Sequence, residues 1–253
     1  MNKDSVIILG SRVDLFDDYE SVYSAMKNYL INSWAPHYIT INNVHTIVEG
    51  ASNKNFRRLI NSSLLSIADG RPLSIIQKIE TGKGSRIFGP TLFEKTIRWS
   101  GDSKLKHFFF GSNAETLNAL KEKIEKKYSR VKIAGILTPP FREFTKEENL
   151  RFLEIINEAE PDFIWVALGA PKQEKWIYEN FEKLNKGLMI GVGAGFDYFT
   201  GKLKHAPVWM KNISLEWSFR LAQEPKRLWK RYFRANTLFF YFYVLKILRI
   251  KKF

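Results

Sequence analysis

The sequence predicts an α/β fold: a mainly parallel sheet core with helices on both faces, followed by a helical C-terminal appendage. Short apolar runs alternate with longer amphipathic stretches, the pattern of strand–helix units. Between residues 106 and 197 the exits from those runs are rich in Gly, Pro and Asn. The 253 residues, 45% hydrophobic and 26% charged, match a globular chain of one large domain or two small ones.

Taken in order, Val6–Leu9 is a short apolar run, and a polar-patterned helix follows around Tyr19–Ser33. Tyr38–Ile41 reads as a strand ending in Asn42 and Asn43, with a helix from about Val44. Arg57–Asn61 reads as a helix end and Leu64–Ala68 as a strand stopped by Asp69-Gly70-Arg71-Pro72. Residues 79–89 are loop-like, rich in Gly and basic side chains. A regular unit then begins with strand Lys106–Phe110, turn Gly111-Ser112-Asn113 and helix Ala114–Lys127. Strand Val131–Ile136, a Pro-containing loop and helix Glu147–Ala159 come next. Strand Asp162–Leu168 leads through Gly169-Ala170-Pro171 into helix Lys172–Leu184. Strand Leu188–Val192 leaves into Gly193-Ala194-Gly195-Phe196-Asp197. The connectivity is Rossmann-like, and the core is expected to span residues 1–212.

Residues 213–253 differ. Leu215–Arg231 is helical in pattern and interrupted at Pro225. Leu238–Leu245 is eight apolar or aromatic residues in a row. Nine of the fourteen net positive charges lie between Lys226 and Phe253, where there is no Asp or Glu, leaving +5 on the other 225 residues. Rings interleaved with Lys and Arg suit an anionic lipid interface. The plainer alternative is a terminal helix packed on the body with its charges solvated, but eight adjacent apolar residues cover every face of a helix. No run reaches the roughly 18–20 apolar residues of a membrane span, and the N-terminal region lacks a signal-peptide core. A cytoplasmic protein is expected.

Several chemistries are excluded. The chain has no Cys, which removes disulfides, thiolate metal sites and Cys nucleophiles, and 4 His make a His-rich metal site a poor expectation. P-loop, HExxH and GxSxG patterns are absent, and no D-x-D pair exists to hold a divalent metal on a sugar nucleotide. A metal-free transferase would then stabilise its leaving group with Arg, Lys and backbone N–H groups, which this chain has in excess.

Ligands of open α/β sheets bind outside the carboxyl ends of the strands. Those positions hold Thr40 and Asn42, Asp69-Gly70, Gly111-Ser112, Thr138-Pro139-Pro140, Gly169-Ala170-Pro171 with Gln173, and Gly193 to Asp197. Each Gly alone reads as an ordinary turn; together they suit phosphate approaching backbone amides. GVGAGFD follows the last strand with no evident helix opening, so it argues weakly for a dinucleotide and better for a nucleotide phosphate.

One further series is specific. Asp69-Gly70, SRIFGPTLF, TPPF, PDFIWVALGAPKQEKWI, GVGAGFDYFTGK-x-x-x-AP-x-W and EW-x-x-RL-x-x-EP-x-R-x-x-x-RY run from Thr40 to about Tyr232. Together they resemble the WecG/TagA/CpsF glycosyltransferases, also filed as glycosyltransferase family twenty-six. The resemblance implies transfer of a sugar from a UDP-sugar to an undecaprenyl-diphosphate-linked saccharide, with inversion, without metal or other cofactor. The implied sugars are N-acetylmannosamine, its uronic acid, glucose or glucuronic acid, for teichoic acid, common antigen or capsular polymers. It also implies a peripheral place on the inner face of the cytoplasmic membrane, with the appendage completing the active site.

The resemblance assigns roles by position. Asp69 would be the general base. Thr40 and Asn42 would face the donor sugar, and Arg86 would hold the sugar or diphosphate. Gln173 would point into the pocket, and Gly193 and Asp197 would lie in the substrate site. Arg220, Arg227 and Arg231 would meet lipid or leaving-group phosphates. Two positions depart from the pattern: Ser85 where many relatives carry Glu, and His205 where many carry Arg. Both suggest a pocket tuned to a different sugar. The competing reading is a basic nucleic-acid-binding α/β protein. Against it, the tail aromatics are contiguous rather than spaced along a groove, and no RNA or DNA module is present. No nucleic-acid partner is therefore expected, whereas a homo-oligomer through the body is.

Overall fold

The computed structural model describes residues 4–33, 35–212, 215–250 and 253. Six strands make one all-parallel sheet: β3 (His37–Asn42), β4 (Leu65–Ala68), β5 (Lys106–Gly111), β6 (Lys132–Leu137), β7 (Phe163–Ala167) and β8 (Leu188–Gly191). Their order is β4-β3-β8-β7-β5-β6. All six carboxyl ends therefore share one edge, and that edge carries the candidate site.

The expectation of helices on both faces holds, and strand alternation shows why. Phe163 and Trp165 point to one face, where they pack with Phe93, Leu117 and Phe196. Ile164 and Val166 point to the other, against Phe56, Phe152 and Ile177. Side chains alternate across a strand, so a strand covered on both sides reads as a continuous apolar run. The first face is covered by α1 (Tyr19–Asn32), α5 (Gly89–Ser100), α6 (Ala114–Lys127) and α9 (Gly195–Thr200). The second is covered by α3 (Lys54–Ser62), α7 (Lys146–Ala159) and α8 (Lys172–Asn180). Caps set several starts: Asp18, Asn43 and Thr145 close capping boxes on α1, α2 (Val44–Ser52) and α7.

Four local expectations are corrected. The apolar run at Val6–Leu9 does not join the main sheet. Instead β1 (Ser5–Ile8) pairs antiparallel with β2 (Ser11–Asp14) across a two-residue turn. Leu9 and Gly10 both have positive φ, 49° and 81°, the geometry whose twist matches a hairpin. This hairpin covers the free edge of β4: the buried Asp14 carboxylate accepts the Ser66 N–H at 2.9 Å and pairs with Arg12 at 2.9 Å. An edge N–H is thereby satisfied and closed to foreign strands.

Second, Asp69-Gly70-Arg71-Pro72 ends a strand but also starts a helix, α4 (Arg71–Thr81), with Pro72 in the first turn where a missing N–H costs nothing. Third, the loop-like stretch 79–89 narrows to residues 82–88, and Gly89-Pro90 opens α5. Fourth, GVGAGFD does open a helix, because α9 begins at Gly195. Its six residues are too few to show a period.

The boundary expected at 212/213 adjoins residues 213 and 214, which lie outside the described residues. Beyond α10 (Val208–Asn212), the tail forms α11 (Glu216–Gln223) and α12 (Pro225–Ile247), with Pro225 as the first residue of the second helix. Leu228, Ala235 and Phe242, spaced by seven, are the buried stripe of α12. Phe242 packs with Val6, Ile8, Ile47 and Leu73 in a third cluster shared by the hairpin, α2 and α4. The plainer reading of a packed terminal helix is thus met in part. One stripe docks, while Phe233, Phe240, Tyr241 and Ile247 remain exposed, Phe233 at 73% and Phe240 at 72%. Among the described residues no helix is long and apolar enough to cross a membrane.

Candidate active site

Asp69 follows β4 directly, and its N–H donates to the Asn42 carbonyl at 2.8 Å, which ties it to the end of β3. Its carboxylate Oδ1 accepts the Gly89 N–H at 3.2 Å, at the first turn of α5. There the helix's unpaired N–H groups favour an anion. Arg86 donates from Nε to the Asp69 main-chain carbonyl at 2.7 Å and from Nη1 to Glu216 Oε2 at 2.5 Å. Its guanidinium lies 5.0 Å from the Phe88 ring centre. Burial pushes the Asp69 carboxyl up to about 6; the Arg86 charge and the Gly89 N–H oppose the rise, and Glu216 adds to it.

A second group comes from α9 and the tail. Asp197 lies in the first turn of α9, and burial raises its carboxyl while Arg220 opposes the shift. Arg220 is buried, lies 5.2 Å from the Tyr198 ring centre and pairs with Glu224. Arg227 shares that carboxylate at 2.8 Å from a more exposed position. Arg231 lies beside the Tyr232 ring, and burial, with Arg227 and Arg220 nearby, pulls its guanidinium below the usual value. Glu216, Arg220, Glu224, Arg227 and Arg231 recur every three or four residues, so within each helix these particular charges share a face. Tyr232 interacts electrostatically with Asp69, Arg220 and Arg231, which joins the two groups.

A third group joins α8 to the exit of β8. Gln173 Oε1 accepts the Gly193 N–H at 3.1 Å, and Gln173 Nε2 donates to Glu174 Oε1 at 2.9 Å. The amide is buried rather than solvated on a helix surface, and the Gly193 N–H is paired with it. A Cβ at Gly191 would lie 2.8 Å from Gln173 Nε2, so glycine there makes room for that side chain.

Thr40 and Asn42 stand at the end of β3 as expected, but their side chains serve another network. Asn42 Nδ2 donates to Thr40 Oγ1 at 3.0 Å and to Ser66 Oγ at 2.9 Å, and Thr40 Oγ1 meets Ser63 Oγ at 3.1 Å. It is the Asn42 main-chain carbonyl that touches Asp69.

The two departures acquire a context. Ser85 contributes its N–H to the Phe16 carbonyl at 3.0 Å, and the carboxylate beside Arg86 is that of Glu216. His205 lies 4.7 Å from Tyr198 and 6.1 Å from Phe88, ring centre to ring centre. It belongs to an aromatic wall.

Glu216, Glu174, Tyr198 and Tyr232 escaped the sequence reading as site residues, although Glu216 opens the EW-x-x-RL motif four residues before Arg220. Four buried polar atoms at this edge have no hydrogen-bond partner among the described residues: Glu216 Oε1, Arg220 Nη1, Arg231 Nε and Glu174 Oε2. Among the described residues, no group of three His, Cys, Asp or Glu side chains is placed to hold a metal ion.

Comparison with known proteins gives the same direction. A family model for the glycosyl transferase WecG/TagA/CpsF family matches residues 6–252. An N-acetylglucosaminyldiphosphoundecaprenol N-acetyl-beta-D-mannosaminyltransferase of Bacillus subtilis (strain 168) is 31% identical over 180 residues, covering 71% of this chain and 68% of the relative. A protein of the same name from Bacillus spizizenii (strain ATCC 23059 / NRRL B-14472 / W23) is 28% identical over 185 residues, covering 72% and 69%. With the motif series, the sheet-edge site and a match across almost the whole chain in agreement, this glycosyltransferase belongs to the WecG/TagA/CpsF family.

Proposed function

We propose that this enzyme transfers an N-acetylmannosamine-type sugar from UDP to N-acetylglucosaminyl-diphospho-undecaprenol at an anionic membrane surface. The acceptor and the sugar are those in the names of the two Bacillus relatives; UDP and the membrane surface rest on the resemblance and the tail's charge. The observation that carries the chemistry is Asp69: a partly buried carboxylate at the shared sheet edge, raised to about 6, with Arg86 and the tail's Glu216 beside it.

In the proposed reaction Asp69 takes the proton of the acceptor hydroxyl as that oxygen attacks the anomeric carbon. The new C–O bond forms on the face opposite UDP. The bond from carbon to the phosphate oxygen breaks, and UDP departs with the electron pair. A single displacement of this kind inverts the anomeric centre. Arg220, Arg227 and Arg231 are proposed to take the charge developing on the diphosphate, so that no divalent metal is required. The unpartnered Nη1 of Arg220 and Nε of Arg231 support that role. Thr40, Asn42, Gln173 and Gly193 are proposed to shape the donor side of the pocket, with Asp197 beside it. A panel of UDP-sugars with a short-chain lipid-diphosphate-N-acetylglucosamine acceptor, read by UDP release and product anomer, tests the reading. Transfer from UDP-N-acetylmannosamine with inversion is expected. Retention of configuration, or no preference for that donor over glucose and uronic-acid donors, would overturn the corresponding part.

A further inference from the structure

Glu216 lies in the first turn of α11, on the tail, yet only 7% of it is exposed. Its Oε2 sits 2.5 Å from Arg86 Nη1, and Arg86 is pinned a second time through Nε on the Asp69 main-chain carbonyl. A guanidinium is a rigid planar fork. Two such contacts, with the Phe88 ring alongside, determine its orientation. In that orientation Arg86 binds the main chain of Asp69, while the carboxylate takes the Gly89 N–H. An arginine beside a partly buried carboxylate otherwise pairs with it, and a carboxylate committed to an ion pair is a weak base.

We propose that Glu216 is a positioning residue for Asp69: it holds the Arg86 guanidinium off the Asp69 carboxylate, so the base is completed only when α11 is docked on the body. The tail then contributes an anion to the proton-transfer half of the site, in addition to its cations. The inference rests on the reading of Asp69 as general base. The groups facing Asp69 are Tyr19 from α1, Arg86 from the loop at 82–88, the Gly89 N–H of α5, Glu216 from α11 and Tyr232 from α12. Among the described residues, Glu216 is the tail's one negative charge acting on Asp69, and Arg86 is its ion-pair partner.

The test uses the full chain, the UDP-sugar and the short-chain acceptor, with kcat/KM followed from about pH 5 to 9. Glu216→Gln keeps shape and removes charge. It is expected to move the acid limb down by about one pH unit as Arg86 turns to Asp69, and to lower the plateau about tenfold. Affinity for UDP should stay within about twofold of the parent, since a positioned proton acceptor acts on kcat rather than on binding. Glu216→Asp, which retains the charge, should keep the limb and lose only part of the plateau. In an Arg86→Gln background, adding Glu216→Gln should move the limb by less than half as much, because the lever is gone. An unmoved limb in Glu216→Gln, or an equal shift with and without Arg86, overturns the positioning role. If Glu216→Gln folds poorly, Glu216→Asp decides: a limb displaced by a full unit despite the retained charge overturns it. Asp69→Asn separates the two readings. A limb that persists in Asp69→Asn removes the base itself, and one that vanishes there while standing still in Glu216→Gln removes only Glu216.

Discussion

Asp69 combines two properties that a turn-forming aspartate does not need. Its carboxyl is raised to about 6, chiefly by burial, and it stands beside the Arg86 guanidinium at a sheet edge. A base with that pKa is ionised at neutral pH yet accepts a proton more readily than an ordinary carboxylate. Replacement by Asn should lower turnover about 10²–10⁴-fold with UDP affinity nearly intact; near-normal turnover of the folded variant would remove Asp69 from the role. In the parent, kcat/KM should rise with pH and level off above about 6, as the carboxylate form fills. The stability sign is opposite. The folded pKa lies above the unfolded value, so this group's contribution is complete below pH 4 and lost as pH rises towards 6. Asp69→Asn should therefore melt higher relative to the parent at pH 7 than at pH 4, a difference that calorimetry at the two pH values measures.

The tail helix α12 works with two faces. Leu228, Ala235 and Phe242 return every seven residues and pack on the body, Phe242 within the cluster of hairpin, α2 and α4. Phe242→Ala should cost about 3 kcal/mol, at the low end for a buried Phe because the site is at the rim of the core. In thermal unfolding that corresponds to a fall of roughly 6–12 °C in Tm; a change under 2 °C would show that the stripe carries no packing. The exposed face bears Trp229, Phe233, Phe240 and Tyr241, beside Lys226, Lys230 and Arg234 along the same helix. Changing Phe233, Phe240 and Tyr241 to Ser should release the enzyme from anionic vesicles and leave its melting temperature within about 2 °C of the parent, the usual range for surface changes. Retention on vesicles at physiological salt would assign the attachment to charge alone.

At the scale of the whole molecule, the tail packs against the sheet edge that carries Asp69, which supports one shared site as proposed. The Arg86–Glu216 pair and the Arg220–Tyr198 contact both join the body to the tail. Deleting residues from 215 onward should therefore abolish transfer to any acceptor, including a short-chain one in solution. Deleting residues 238–253 should free the protein from vesicles and keep some transfer to the soluble acceptor, but it also removes Phe242 from the core and should lower Tm. An active deletion from 215 would contradict the shared site. Activity should survive a chelator, because the leaving charge has arginines to meet it. Loss in chelator with recovery in magnesium or manganese would contradict that.

The sequence by itself determined the strands of the sheet and the residues at their carboxyl ends. Runs such as Phe163–Ala167 are apolar on both faces, and that periodicity is local information. Asp69 was legible for the same reason: it follows a strand and opens the motif series. What it could not express was contact between distant residues. The turn at Leu9-Gly10 does not announce that β1 and β2 leave the sheet to seal β4. Gln173 and Gly193 were named as separate contributors, and only tertiary structure binds them to each other. Thr40 and Asn42 lie where expected in the chain, yet Ser63 and Ser66, from the neighbouring segment, decide where their side chains turn. Arg86 finds its carboxylate partner in Glu216, 130 positions further along. Local pattern reports which side of an element is buried; the identity of a charge's partner depends on which elements meet, and that is settled only when the tail packs onto the body.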